Sequence, residues 1–110
     1  MAKDGWDREV DLLVAGAGPG GMTAGLVAAL EGLDVLICEK SEQVGGTGAT
    51  SAGTLWIPNN TQSRDAGYSD NADDAAAYLD ALIADGGADA RRTTFLADGP
   101  RVIDDLVART

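Results

Sequence analysis

The sequence predicts an α/β fold that opens with a βαβ unit over residues 10–39, continues through a glycine-rich loop over residues 41–60, and ends in a helical segment over residues 70–110. Three observations carry this. Two short apolar runs, "VDLLVA" and "LDVLICE", flank a helical stretch that starts in glycines. A second glycine-rich stretch, "VGGTGATSAGTLWIPNN", is too polar for a strand or a core helix. Beyond it, apolar residues recur at three-and-four spacing, the period of an amphipathic helix.

The first run, Val10 to Ala15, breaks into "GAGPGG", the pattern of a buried parallel strand ending in a tight turn. From Pro19 the chain reads as helix, with Met22, Leu26, Ala29 and Leu30 on one face and Gly32 as the stop. Leu33 to Glu39 is the second strand, and its Cys38 is expected to pack in the core, as free cysteines commonly do. A strand, a crossover helix and a second parallel strand make a right-handed unit. The segment "NNTQSRDAGYSDN" reads as loop. Asp70 or Asn71 then caps a helix whose Ala75, Tyr78, Leu79, Leu82 and Ile83 form a stripe, ended by Gly86 and Gly87. A short helix is expected from about Ala88 to Ala97, and another from Pro100, with Val102, Ile103, Leu106 and Val107 apolar.

Composition excludes several function classes. The chain carries 18 acidic and 8 basic residues for a net charge of −10, which argues against sequence-independent binding to nucleic acid or an anionic membrane. It has no histidine, which removes Ser-His-Asp and Cys-His catalysis and most transition-metal sites. One cysteine makes no internal disulfide, and neither a signal peptide nor a transmembrane run is present, so a cytoplasmic location is expected. Asp70, Asp73 and Asp74 lack the spacing of a calcium loop and read as acids at a helix start.

The first glycine motif is G-x-G-x-x-G at Gly16, Gly18 and Gly21, with Pro19 and Gly20 between. Its context gives it meaning: a strand before, a helix after, and an acid at the end of the next strand. Gly16 permits the turn, Gly18 lets a pyrophosphate approach the backbone, and Gly21 allows close helix–sheet packing. The helix N-terminus offers unpaired amides to the phosphates. Glu39 is placed to accept the two hydroxyls of an adenosine ribose and to repel a 2′-phosphate. The reading is thus the N-terminal βαβ part of a Rossmann-like FAD/NAD(P)-binding domain. Gly25 thins the helix face and Gly32 ends it, but the glycine spacing leaves FAD and NAD both open.

From Glu39 onward, "EKSEQVGGTGATSAGTLWIPNN" resembles the FAD-binding domain of the fumarate reductase and succinate dehydrogenase flavoprotein family, and within it most nearly the 3-oxosteroid Δ1-dehydrogenase branch. The acid-lysine pair Glu39–Lys40, the Gly45–Gly46–Thr47 turn, the Ser51 to Gly53 segment and the Trp-Ile-Pro-Asn-Asn run occur in the family's order. Gly48 and Ala52 depart mildly from its pattern. The resemblance implies FAD, held without a covalent bond because no histidine is available to attach it. A ligand that long needs a second backbone segment across its pyrophosphate. Gly45 and Gly46 would approach it closely, and Thr47, Thr50 and Ser51 would donate hydroxyls. The amides of Ser51, Ala52 and Gly53 would meet the flavin edge. Trp56 and Ile57 would wall the ring or simply fill a core. The flavin would exchange a hydride with a C–H bond beside a carbonyl or with an activated alkene. Relatives are several times longer, and a two-stranded parallel sheet is a poor independent fold. The chain is therefore expected to be the N-terminal portion of a larger flavoprotein. The substrate domain and catalytic residues would lie elsewhere, and a small-molecule substrate would bind only in that full-length context. Two alternatives remain, a truncated fragment with weak or no flavin binding and an NAD-binding dehydrogenase domain.

Overall fold

The computed structural model of the chain describes residues 5–83 and 89–110, and it divides into two compact units, Met1–Thr54 and Leu55–Thr110. The first unit holds strand β1 (Leu12–Ala15), helix α1 (Pro19–Leu30), strand β2 (Val35–Cys38) and a 3₁₀ turn at Gly46–Thr50. The strands are parallel, in a register that pairs Leu12 with Val35 and Ala15 with Cys38. Main-chain bonds extend the ladder at both ends, from the Leu12 amide to the Asp34 carbonyl at 3.1 Å and from the Gly16 amide to the Cys38 carbonyl at 2.7 Å. Helix α1 stops as expected at Gly32. The Gly32 amide donates to the Ala29 carbonyl and the Leu33 amide to that of Ala28, a Schellman closure that satisfies the last carbonyls.

Two expectations about burial are corrected here. The face of α1 turned to the sheet is the one with small residues: Gly25 and Ala28 are buried, while Met22 and Leu26 are exposed. The reason is distance. A Cβ on Gly25 would lie 2.7 Å from Ile37 Cδ1, so the helix sits too close to the strands for large side chains on that face. Nor are the strands buried on both sides. Val14 is 9% exposed under α1, but Leu13 beside it is 61% exposed and Cys38 is exposed. A β-strand alternates its side chains between faces, and α1 covers one of them.

The second unit contains α2 (Thr61–Asp65), α3 (Ala72–Leu82) and α4 (Ala90–Arg109). The segment expected as loop forms α2 because Asn60 caps it: its Oδ1 accepts from the Ser63 amide at 2.8 Å, and its Nδ2 donates to the Ile57 carbonyl at 2.6 Å. At α3 the cap is Asn71, whose Oδ1 accepts from the Asp74 amide at 2.8 Å. Asp70 instead accepts from the Asn59 amide at 2.6 Å. The α3 stripe is narrower than its sequence suggests, with Ala75 buried but Tyr78, Leu82 and Ile83 exposed. Gly86, Gly87 and Ala88, expected to end that helix and begin the next, lie outside the described residues.

The two helices expected after residue 88 are one. Asp89 caps α4, and Pro100 lies inside it. Proline removes one amide from the ladder, a cost of about 3 kcal/mol in a free helix. The helix nonetheless continues through it, and the residue before it is closely packed. Gly99 is buried, and a Cβ there would lie 3.2 Å from Ile57 Cγ2. Trp56 ties the extended segment before α2 to both long helices, its ring centroid 5.7 Å from that of Tyr78 and 6.1 Å from that of Phe95. Among the described residues, no helix is long and apolar enough to cross a membrane.

Candidate functional site

The carboxyl ends of β1 and β2 open onto a cleft of about 470 Å³ lined by Ala15, Gly16, Cys38, Glu39 and Lys40. Ligands of open α/β sheets bind at this end, because loops and helix N-termini converge there. Gly16 turns the chain out of β1 with φ at +102°, a left-handed conformation that disfavours any side chain. Gly18 follows as the N-cap of α1 and supplies no side-chain cap. Pro19 opens the helix without an amide to satisfy. The first-turn amides of Gly20 and Gly21 have no partner within the helix, so α1 presents donors and the positive end of its dipole.

The glycines divide by what surrounds them. A Cβ on Gly18 or Gly20 would meet nothing within 4 Å, so both positions face open space. A Cβ on Gly21 would fall 2.0 Å from the Gly16 carbonyl oxygen and 3.0 Å from Val14 Cγ1. Gly21 is therefore a packing residue, while Gly18 and Gly20 leave a bare floor that suits an approaching pyrophosphate.

Glu39 sits at the mouth of the cleft. Its Oε2 accepts from the Ala17 amide at 2.8 Å, and its Oε1 accepts from the Ser41 amide at 3.0 Å and lies 3.1 Å from the Ser41 hydroxyl. The Ala17 amide, followed by the Ser41 amide, holds the carboxyl below the ordinary glutamate range. An ionised carboxylate only accepts hydrogen bonds, and two oxygens offer about four acceptor positions. Both oxygens thus retain capacity for hydroxyl donors. Lys40 lines the same cleft and is exposed.

The second glycine stretch is brought against the first. The Gly45 amide donates to the Ala17 carbonyl at 2.7 Å, with Gly45 at φ +109°. A Cβ on Gly46 would lie 3.2 Å from Gly18 Cα, and one on Gly48 would lie 2.5 Å from Pro19 Cγ. In this chain Gly48 gives the Pro19 ring its room. The stretch is a 3₁₀ turn over Gly46–Thr50 rather than an open loop, because its hydroxyls fold back on it. Thr50 donates to the Thr47 carbonyl at 2.9 Å, Ser51 donates to the Gly48 carbonyl at 2.8 Å, and the Gly53 amide donates to the Ser51 hydroxyl oxygen at 3.0 Å. Thr47 lies within this turn, Ser51 leaves it extended, and Ser51, Ala52 and Gly53 are all exposed, with Gly53 at φ +74°.

Sequence reasoning missed Ser41, Ala17 and Cys38 as parts of this site. A serine two residues beyond the strand-terminal acid was the available signal for Ser41, because such a hydroxyl readily closes a local turn. In the second unit Trp56 is 48% exposed beside the rings of Tyr78 and Phe95, and Ile57 is half-buried against Gly99.

The family described as FAD binding domain matches residues 11–109 of this chain. The chain is 40% identical over 96 residues to a 3-oxosteroid 1-dehydrogenase of Mycolicibacterium smegmatis, covering 87% of itself and 17% of that protein. It is 44% identical over 72 residues to a 4-oxocyclohexanecarboxylate 2-dehydrogenase of Sinomonas cyclohexanicum, covering 66% of itself and 12% of that protein. Among solved structures it resembles a 3-ketosteroid delta1-dehydrogenase from Sterolibacterium denitrificans in complex with 1,4-androstadiene-3,17-dione, with TM-score 0.77 and 38% identity over 90% of this chain and 17% of the other. The chain thus spans less than a fifth of the length of each of these relatives.

Proposed function

Because the chain belongs to the family of FAD binding domains, we propose that it holds FAD, without a covalent bond, for a flavin-dependent oxidoreductase that acts on the CH–CH bond beside a ring ketone. The observation that carries the reading is the contact between the two glycine segments: the Gly45 amide on the Ala17 carbonyl at 2.7 Å, and Gly46 against Gly18. One segment floors a pyrophosphate, and the second crosses it, which suits a ligand longer than a simple nicotinamide dinucleotide. In this reading Gly16 shapes the turn and Gly21 its packing. The backbone of Gly18 and Gly20, with the Pro19-led helix end, takes the diphosphate. Glu39 takes the ribose hydroxyls, with Lys40 beside it in the cleft. Gly45, Gly46 and Thr47 cross the diphosphate, and Thr50, Ser51, Ala52 and Gly53 lead toward the ribitol and ring.

When bound, FAD supplies the hydride acceptor or donor. The residues of this chain bind and orient it, and none is assigned to proton transfer with substrate. Two relatives are named as dehydrogenases of compounds that carry an oxo group on a ring, which supports a cyclic ketone as the substrate class. The lone cysteine and strongly acidic balance fit a cytoplasmic location and a small-molecule substrate better than a nucleic-acid partner.

A second reading has its own support. Leu13 at 61% exposure leaves one sheet face uncovered, which favours weak flavin binding by these 110 residues alone. Titrating the chain with FAD, FMN and NAD⁺, read by flavin fluorescence and calorimetry, separates the readings. The expected order is FAD bound in preference to both. NAD⁺ bound as tightly as FAD would overturn the proposal, and no binding of FAD would establish the weak-binding reading in its place.

A further inference from the structure

The bonds around Glu39 close into a ring. The Ala17 amide donates to Glu39 Oε2 at 2.8 Å, and the Ser41 amide donates to Glu39 Oε1 at 3.0 Å. The Ser41 hydroxyl lies 2.6 Å from the Gln43 carbonyl oxygen and 3.1 Å from Glu39 Oε1. The Gly45 amide then returns to the Ala17 carbonyl at 2.7 Å. Both backbone polar groups of Ala17 are therefore held by the segment after β2, one through a carboxylate and one through Gly45. A hydroxyl has one proton, and the shorter contact sends it to Gln43. That bond turns residues 41–43 so that Gly45 can reach Ala17, while the Ser41 amide keeps Oε1 in place.

We infer that Ser41 is a positioning residue for ribose recognition, acting through Glu39 and Gln43 to bind the acceptor carboxylate and the second glycine segment into one preassembled unit. The inference rests on the FAD reading above and adds a residue to it. Ser41 does not itself touch the ligand. Its amide holds Glu39 Oε1 while that of Ala17 holds Oε2, so that the remaining lone pairs are offered to the two ribose hydroxyls in a fixed direction. Preorganisation of this kind raises affinity and selectivity by lowering the ordering cost of binding. A hydrogen bond to an ionised acceptor contributes about 1.5–3 kcal/mol, so mispointing one hydroxyl contact weakens binding about tenfold or more.

The test compares the chain with S41A and S41T, using ADP and 2′-deoxy-ADP as probes and amide hydrogen exchange without ligand. The wild-type chain should prefer ADP over 2′-deoxy-ADP by about tenfold, and S41A should reduce that preference below about threefold. S41T, which keeps the hydroxyl, should restore it. Without ligand, S41A should speed exchange of the Gly45 and Ala17 amides while the Val14 amide stays protected. A merely structural role would weaken both nucleotides alike and leave their ratio unchanged, and that result would overturn the inference. Unchanged exchange at Gly45 in S41A would also overturn it, while FAD binding by the wild type would leave the FAD reading standing. A wild-type chain that shows the exchange effect but binds neither ADP nor FAD would instead overturn the FAD reading, and with it the ribose role of Ser41.

Discussion

Glycines 18 and 21 stand three residues apart in one motif, yet they answer to different forces. A Cβ on Gly21 would fall 2.0 Å from a backbone carbonyl oxygen, which no rotamer change relieves. Gly21→Ala must move backbone, and overpacking of that kind costs about 1–3 kcal/mol. Gly18 faces open space at φ −76°, so alanine fits there at a cost below about 1 kcal/mol for a poorer N-cap. Its methyl group would occupy the floor assigned to the diphosphate. Urea unfolding should therefore show G21A clearly destabilised and G18A nearly native, whereas FAD titration should show G18A weakened at least tenfold, about 1.4 kcal/mol. Equal stability losses in the two variants would contradict this division. The motif was legible as a motif in the sequence. Which glycine serves the fold and which faces the ligand was not, since that depends on what lies across from each Cα.

Among the elements, α1 shows how a helix can invert its expected amphipathicity. Its large side chains, Met22 and Leu26, mark the exposed face, and Gly25 and Ala28 mark the buried one. The coupling between α1 and β2 is local enough to measure. Gly25→Ala gains about 1 kcal/mol of helix propensity but places a Cβ 2.7 Å from Ile37 Cδ1, the free end of a side chain 38% exposed that must turn away, so the net change should stay within about 1 kcal/mol. Ile37→Val removes that Cδ1. Alone it should cost about 1 kcal/mol, but less in the G25A background, where nothing has to turn away. The double-mutant cycle should therefore give a favourable coupling, and simple additivity would show that the two residues do not meet. The same lesson holds for α4. Pro100 reads as a helix start by local rules, yet α4 runs through it, with the buried Gly99 set close to Ile57. At α2, by contrast, the cap at Asn60 was available in the sequence, three residues before the Ser63 amide it accepts.

For the whole molecule, charge is the dominant long-range term. With a net charge of −10, the ion pairs among the described residues, such as Arg8–Asp34 and Arg101–Asp98, are mostly exposed and each contributes under about 1 kcal/mol. Self-repulsion outweighs them at low ionic strength, where the screening length is about 30 Å, and fades at 0.15 M, where it is about 8 Å. The melting temperature should rise with salt across that range by about 5 °C, the equivalent of roughly 1 kcal/mol. A fall would mean that the ion pairs dominate after all. Local rules sufficed for the βαβ order, the glycine turn, the strand-terminal Glu39 and the kinship of the stretch after it, because turns, caps and periodicity act between near neighbours in the chain. Packing alone decided which face of α1 is buried, that Cys38 and Leu13 stay exposed, that Gly48 makes room for Pro19, and that Ser41 and Ala17 join Glu39 in one ring. Those outcomes depend on distances between segments far apart in the chain, and side-chain periodicity carries no record of how closely two backbones approach.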